Sequence, residues 1–113
     1  MAHTLGEIRQ QLFTSALSDC LDSVGLSNQA MPSRIRPLDE ASVLCGRART
    51  AAFIESRAYD AANPYALEIA LIDSLKDDEV PVFACANSLQ VAPWGELLST
   101  AAKARGSAGA IMD

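Results

Sequence analysis

The sequence contains almost no histidine and no grouped cysteines. Its single histidine, His3, lies near the N-terminus, and Cys20, Cys45 and Cys85 are far apart with no Cys-x-x-Cys spacing. Catalysis through histidine, a disulfide framework and a thiolate zinc site are therefore disfavoured. Reduced cysteines that serve as small buried hydrophobic residues fit this pattern better.

Positive charge is also scarce. Nine Lys and Arg stand against 14 Asp and Glu, giving a net charge of −5, so nucleic acid is disfavoured as a direct partner because phosphate binding needs clustered cations. Five arginines between positions 34 and 57 are interrupted by acidic residues, which favours a solvated surface or a subunit contact over a nucleic-acid patch. No apolar run reaches the length of a membrane span, and the N-terminus does not have the pattern of a signal peptide. We expect a cytoplasmic protein without membrane association.

The chain length and composition predict one compact domain over residues 1–113, because half of the 113 residues are hydrophobic. Thr4 and Glu7 have the spacing of a capping box for a first helix. Ser15 is predicted to cap a second helix, which Gly25 ends.

The remaining pattern alternates between strands and helices. Residues 26–39 read as a loop, 43–54 as one or two strands with a close approach at Gly46, and 80–86 as a strand with Pro81 at its start or on an edge. A helix is predicted to begin at Asn63-Pro64, with Leu67 on its apolar stripe. This order of strands and crossover helices predicts an α/β fold with parallel strands.

The last twenty residues form the most informative segment. Gly95 is an acceptable N-cap and Glu96 places negative charge in the first helical turn. The predicted apolar face consists of Leu97, Leu98, Ala101 and Ala102, Gly106 ends the helix, and residues 108–112 form a buried strand that leads to Asp113. The first amide N–H groups of a helix lack intrahelical partners, so this turn can hold an anion such as a carboxylate.

Other polar residues are weaker candidates for a functional site. Asp19 and Asp22 lie three residues apart on a helix, where solvated carboxylates are the more common arrangement. Polar side chains in the loop before Gly95 could bind a substrate or metal-bound water, although such residues are more often solvated: Asn87, Ser88, Gln90. Trp94 could form a wall of a pocket or anchor the turn by packing, and packing is favoured.

Taken together, these segments resemble the RraA-like family, which includes class II 4-hydroxy-4-methyl-2-oxoglutarate aldolases. The similarity is most specific in the C-terminal stretch from Trp94-Gly95-Glu96-Leu97-Leu98 to Asp113. It extends to residues 17–22, to the Arg34-Ile35-Arg36-Pro37-Leu38 segment and to residues 46–50. The chain resembles the N-terminal two thirds of the family domain.

The resemblance implies a layered β/β/α swivelling-domain fold, incomplete at its C-terminus here, and assembly as homotrimers or hexamers. It implies an aldolase or oxaloacetate decarboxylase that releases pyruvate from 2-oxo acids with a divalent cation, Mg²⁺ or Mn²⁺. By the same resemblance, the backbone amides of Gly95, Glu96, Leu97 and Leu98 hold the pyruvate carboxylate. Glu96 contacts the metal through water and is the candidate catalytic residue.

The resemblance also leaves alternatives open. The family's arginine and metal-binding aspartate would follow Asp113, so we expect this chain to be a fragment of a longer enzyme, and it could be inactive by itself. A non-catalytic regulator that binds an RNA-degrading endonuclease is one alternative, since some relatives act in this way. A small-carboxylate-binding subunit of an oligomer is the other.

Overall fold

The structure is a computed structural model that describes residues 2–88 and 90–113. It divides into two compact units, Met1–Cys45 and Gly46–Asp113. Across the described residues there are four α-helices and one three-stranded sheet, and none of these helices is long and apolar enough to cross a bilayer. The α/β fold is therefore confirmed, while the assignment of residues 1–113 to a single domain stays a prediction.

The first unit contains two short helices. Helix α1, Leu5–Gln11, begins with the predicted capping box: the Glu7 N–H donates to Thr4 Oγ1 at 3.2 Å, and the Thr4 N–H donates to Glu7 Oε2 at 2.7 Å. Helix α2, Thr14–Ser23, begins before Ser15, so the prediction that Ser15 caps it is wrong. Phe13 is the N-cap, since its extended backbone already turns the chain into the helix without a side-chain bond.

The cysteines do not share one environment. Cys85 is 3% exposed, but Cys45 is only partly buried and Cys20 lies exposed on α2. The expectation that all three are buried is therefore wrong. Cys20 is exposed because it lies on α2, which contains no buried residue.

The second unit is built on a parallel sheet. Its strands are β1, Arg47–Ala52; β2, Glu79–Ala84; and β3, Ile111–Met112, in the spatial order β1-β2-β3 with both pairings parallel. The predicted parallel strands are thus confirmed, although β3 is shorter than residues 108–112. Pro81 lies inside the central strand rather than at its start. This position is tolerated because the pairing with β3 begins only at Val82, beyond the proline.

Two helices cover one face of this sheet. Helix α3, Ala66–Asp73, begins later than the predicted Asn63-Pro64 because Tyr65, with φ −109° and ψ 13°, is not helical. Helix α4, Glu96–Ala104, begins where predicted, with Gly95 as N-cap.

The core lies between these helices and the sheet. Phe83, which is 1% exposed, packs with Ile72 and Leu75 from the α3 region and with Ala102 of α4. Complete burial of such a side chain contributes about 2 kcal/mol through the hydrophobic effect. The sheet residues that face the helices are paired in register across all three strands: Ala51, Phe83, Met112.

Two leucines predicted on the buried stripes face outward instead. Leu67 of α3 is 88% exposed and Leu97 of α4 is 85% exposed, whereas Leu98 is partly buried against the core. The predicted apolar face of α4 is therefore narrower, and consists of Leu98, Ala101 and Ala102.

Candidate functional site

The N-terminal end of α4 has backbone N–H groups that the helix itself does not use. The first intrahelical bond runs from the Ser99 N–H to the Gly95 carbonyl oxygen at 3.0 Å. The N–H groups of Glu96, Leu97 and Leu98 precede it, and Gly95 has no side chain with which to cap them. The four residues predicted to hold a carboxylate therefore form one turn at the positive end of a helix dipole.

Gly95 is open on the side where a side chain would start. Its φ of −161° is extended backbone that any residue adopts, and a Cβ built there has no heavy atom within 4 Å. Backbone conformation and packing therefore do not require glycine at this position. Close approach of a ligand to the backbone is one physical reason for a residue without a side chain.

Trp94 connects this turn to the core. It combines the two roles predicted for it, since it anchors the turn by packing and also lines a cavity. Its ring packs edge-on against Phe83 with the ring centroids 5.5 Å apart. Its Nε1–H donates to Ser99 Oγ at 2.8 Å, and Ser99 Oγ donates to the Gly95 carbonyl oxygen at 2.9 Å. These contacts fix the entry of the chain into α4.

A cavity of about 290 Å³ opens at this turn. Its wall is formed by the start of α4, the preceding loop and one residue of α3: Glu68, Ala92, Pro93, Trp94, Gly95, Glu96, Leu97, Leu98. All four predicted substrate-binding residues lie in this wall, so the structure brings them together around one space.

Glu68 is a residue of this cavity that sequence reasoning missed. It lies in the first turn of α3 and is partly buried, and burial raises the pKa of its carboxyl above the ordinary value of 4.5. One signal could have identified it: Glu68 is a charged residue between Leu67 and Ile69, in a helix that is otherwise apolar until Asp73. Its position beside α4 depends on tertiary packing, which that signal does not reveal.

The two carboxylates of the cavity fit a hard cation better than a soft one. Glu68 and Glu96 offer oxygen donors, and Glu96 is exposed at the end of the helix. Across residues 2–88 and 90–113, no group of three His, Cys, Asp or Glu side chains could hold a metal ion. A cation such as Mg²⁺, which keeps several of its water ligands, suits so small a donor set.

The other polar candidates do not line this cavity. Ser88 donates its hydroxyl proton to the Glu55 carboxylate and accepts from the Gln90 N–H at 3.1 Å. These contacts organise the loop that precedes the site. Asn87 lies in the same loop with a left-handed φ of 57°.

The two remaining carboxylate candidates, and Arg49 from the group of five arginines between positions 34 and 57, lie outside the cavity wall. Asp19 and Asp22 lie exposed on α2, in the first unit. Arg49 on β1 donates to Ser74 Oγ at 3.0 Å and lies 4.0 Å from the Glu79 carboxylate.

Asp113 lies at the carboxyl edge of the sheet, as predicted. Its Oδ1 accepts a hydrogen bond of 2.5 Å from the Cys85 N–H, just past the end of β2. Burial and, second, the Asp113 carboxylate raise the pKa of the Cys85 thiol, which favours the neutral form.

Comparison with known proteins identifies one family. The sequence profile of the RraA-like family, described as Aldolase/RraA, matches residues 14–113. A solved structure described as "novel cellulases from microbes associated with the gut ecosystem" shares the fold, with a TM-score of 0.80 and 24% sequence identity. The similarity covers 96% of this chain and 48% of that one, so the chain spans about half the length of the structure that it matches. No curated protein matches the sequence significantly.

Proposed function

The chain belongs to the RraA-like family, and from this premise we propose that it forms part of a divalent-metal-dependent lyase that cleaves or decarboxylates 2-oxo acids and releases pyruvate. The observation that carries the proposal is the open N-terminal turn of α4 in the wall of a cavity. A 2-oxo acid has one carboxylate next to its reactive carbonyl, and this turn offers N–H groups that suit such a carboxylate.

The turn would act mainly by orienting the substrate. A carboxylate held by the N–H groups of Glu96, Leu97 and Leu98 directs the 2-oxo group and the bond to be broken into the cavity. Fixed orientation of this kind lowers the entropic part of the activation barrier. Trp94 keeps the turn in place through Ser99.

A divalent cation, when bound, would stabilise the negative charge that develops on the 2-oxo oxygen as the bond breaks. Glu96 is the residue of this chain that would hold such a cation through its water ligands, with its exposed carboxylate at the rim of the cavity. Mg²⁺ and Mn²⁺ are the ions we propose, and a homotrimer or hexamer in the cytoplasm is the proposed assembly and location.

Binding of pyruvate to the purified protein tests the carboxylate-binding turn directly. We expect pyruvate to change the fluorescence of Trp94, the only tryptophan. Gly95→Ala should weaken this binding about tenfold or more, because a methyl group narrows the approach to the amides while the fold tolerates it.

Gly6→Ala is the matched control. An added Cβ at Gly6 also meets only ordinary contact, 3.9 Å from Thr4 Oγ1, but Gly6 belongs to α1 and is not one of the residues that line the cavity. Unchanged affinity in this variant is expected. If Gly95→Ala binds pyruvate as well as the wild type does, the α4 turn is not the carboxylate site.

Two alternatives stay predictions: a regulator that binds an RNA-degrading endonuclease, and a non-catalytic carboxylate-binding subunit. The pyruvate-binding experiment separates the first of these from the proposal. A protein that binds no 2-oxo acid but retains a nuclease in a pull-down would support the regulator.

A further inference from the structure

The loop between β2 and α4 forms part of the cavity wall. Its last residues, Ala92, Pro93 and Trp94, line the cavity just before the turn that begins α4. The C-terminal end of the loop is fixed, since the Trp94 ring packs against Phe83 and its Nε1–H donates to Ser99 Oγ. The shape of the wall therefore also depends on how the N-terminal end of the loop is held.

That N-terminal end is a turn whose backbone is unfavourable for one of its own residues. Ala86 and Asn87 have left-handed φ values of 54° and 57°. The Ser88 N–H donates to the Cys85 carbonyl oxygen at 3.0 Å and closes the turn. Turns with two left-handed residues favour glycine and asparagine, and alanine has the advantages of neither. Contacts outside the turn must therefore help to keep the loop in this conformation.

Ser88 connects the turn to the segment that follows β1. Its hydroxyl donates to a carboxylate oxygen of Glu55 and accepts from the Gln90 N–H at 3.1 Å. Hydrogen bonds to a carboxylate are stronger than those to a neutral acceptor. Glu55 follows closely after Phe53, whose N–H donates to the Ala84 carbonyl oxygen of β2 at 2.8 Å. The Glu55 carboxylate therefore ties the loop to the sheet.

We propose that Glu55 is a positioning residue for the turn at the start of α4, which it holds in place through Ser88 and the loop that leads to Trp94. Glu55 is not among the described residues that line the cavity, so it acts through Ser88 rather than on a ligand. The inference rests on the proposed function, because its consequence is the affinity of that turn for a carboxylate. A loop that is already ordered before the ligand arrives does not have to be ordered at the expense of binding free energy.

The pyruvate affinities of three single variants test this role. Glu55→Ala and Ser88→Ala each remove one partner of the hydrogen bond, and each should weaken binding about threefold to tenfold. Glu55→Gln keeps an oxygen that can accept from the Ser88 hydroxyl, and its affinity should stay within about twofold of the wild type. The double variant Glu55→Ala, Ser88→Ala should bind about as weakly as Ser88→Ala alone, because both changes act on the same contact.

Two controls are matched to these changes. Glu40→Ala removes an exposed glutamate of the first unit. Ser56→Ala removes a hydroxyl next to Glu55 that donates to the Ala58 carbonyl oxygen and accepts from the Ala58 N–H. Both variants should bind pyruvate as tightly as the wild type does.

Quenching of Trp94 fluorescence by acrylamide distinguishes positioning from a general loss of stability. Without ligand, Trp94 should be quenched more strongly in Glu55→Ala than in the wild type, because the loop is less ordered. Saturating pyruvate should reduce that difference by about half or more, since the bound ligand favours the ordered loop. A variant that is merely less stable would be quenched like the wild type under native conditions and would differ only in its denaturation midpoint.

The outcomes separate this inference from the proposed function. If the wild-type protein binds no pyruvate, the turn at the start of α4 is not a carboxylate site and the inference fails with it. If the wild type binds pyruvate and Glu55→Ala binds it equally well, Glu55 does not position the turn, although the turn remains a carboxylate site. The same conclusion follows if Glu55→Gln binds as weakly as Glu55→Ala.

Discussion

The indole Nε1–H of Trp94 donates a hydrogen bond of 2.8 Å to the hydroxyl oxygen of Ser99, one turn into α4. The same hydroxyl donates to the Gly95 carbonyl oxygen at 2.9 Å. One serine thus joins the aromatic wall of the cavity to the N-cap of the helix.

Removal of this serine hydroxyl should loosen the site without unfolding the protein. Ser99→Ala leaves the Trp94 N–H without its partner and should lower the free energy of unfolding by about 1 kcal/mol. We also expect weaker pyruvate binding and a shift in tryptophan emission, since Trp94 is the only tryptophan. Thr100→Ala, at the exposed neighbour on the same helix, is the control and should leave emission unchanged. Identical emission spectra for both variants would contradict this role of Ser99.

A capping side chain at position 95 should stabilise the helix and block the ligand. Gly95→Asp places a carboxylate where its oxygen can accept from the first N–H groups of α4, because the Gly95 backbone is already extended like that of an N-cap. We expect a gain of about 0.5 kcal/mol in stability and the loss of pyruvate binding. Denaturant unfolding and a binding titration measure the two effects on one sample. A variant that gains stability and still binds pyruvate normally would show that these amides are not the ligand site.

Protonation of Glu68 should make stability depend on pH. Burial disfavours the charged carboxylate and raises the pKa of Glu68 in the folded protein above the ordinary 4.5. The contribution of the neutral Glu68 side chain to the free energy of unfolding is therefore fully present below pH 4.5. It is lost as the pH rises through the folded-state pKa. Glu96 is the other titratable group of the cavity, and on the same helix Asp73 is paired with Arg105. We expect the stability of wild type relative to Glu68→Gln to fall from about pH 4.5 upward. Parallel pH profiles of the two proteins would contradict this expectation.

Substitution of Gly46 should be far more costly than substitution of Gly95. A Cβ at Gly46 would collide with the carbonyl oxygen of Asp78 and lie 2.6 Å from Val80 Cγ2. Gly46→Ala should therefore destabilise the protein by roughly 1–3 kcal/mol through overpacking. Gly95→Ala is the control, with open space around the added methyl, and thermal unfolding of the two variants measures the difference. Equal melting temperatures would argue against this packing.

The sequence predicted α4 well because several independent local signals agree there. Gly95 begins the helix, Glu96 lies in its first turn, and Gly106, with φ +81°, follows its end. Each of these positions depends on the backbone of its own neighbourhood. The start of this helix is confirmed for the same reason, whereas the binding of a carboxylate there stays a prediction.

The predictions that are wrong or incomplete concern residues whose burial or neighbours depend on tertiary packing. Periodicity indicates which residues share a helix face but does not indicate how wide the buried part of that face is. It therefore predicts that Leu67 and Leu97 are buried, whereas both are exposed. Glu68 comes to the cavity from another helix, which no local pattern specifies. Pro81 is accommodated inside a strand because the neighbouring strand starts one residue later, a register that only the folded sheet defines.

The parallel sheet also has a consequence for the order of folding. Strand β1 cannot pair with β2 until the chain has passed through α3 and the loops on either side of it, and β2 joins β3 only through the register pairs Val82–Ile111 and Phe83–Met112. Closing such long loops costs conformational entropy before any contact compensates it, so parallel strands form slowly. Helix α4 lies between β2 and β3 in the chain, and its apolar face packs on the core that contains Phe83 of β2 and Ile72 of α3. Because Trp94 packs against Phe83 as well, the turn that we propose to bind a carboxylate is expected to take its final form only after this core has assembled.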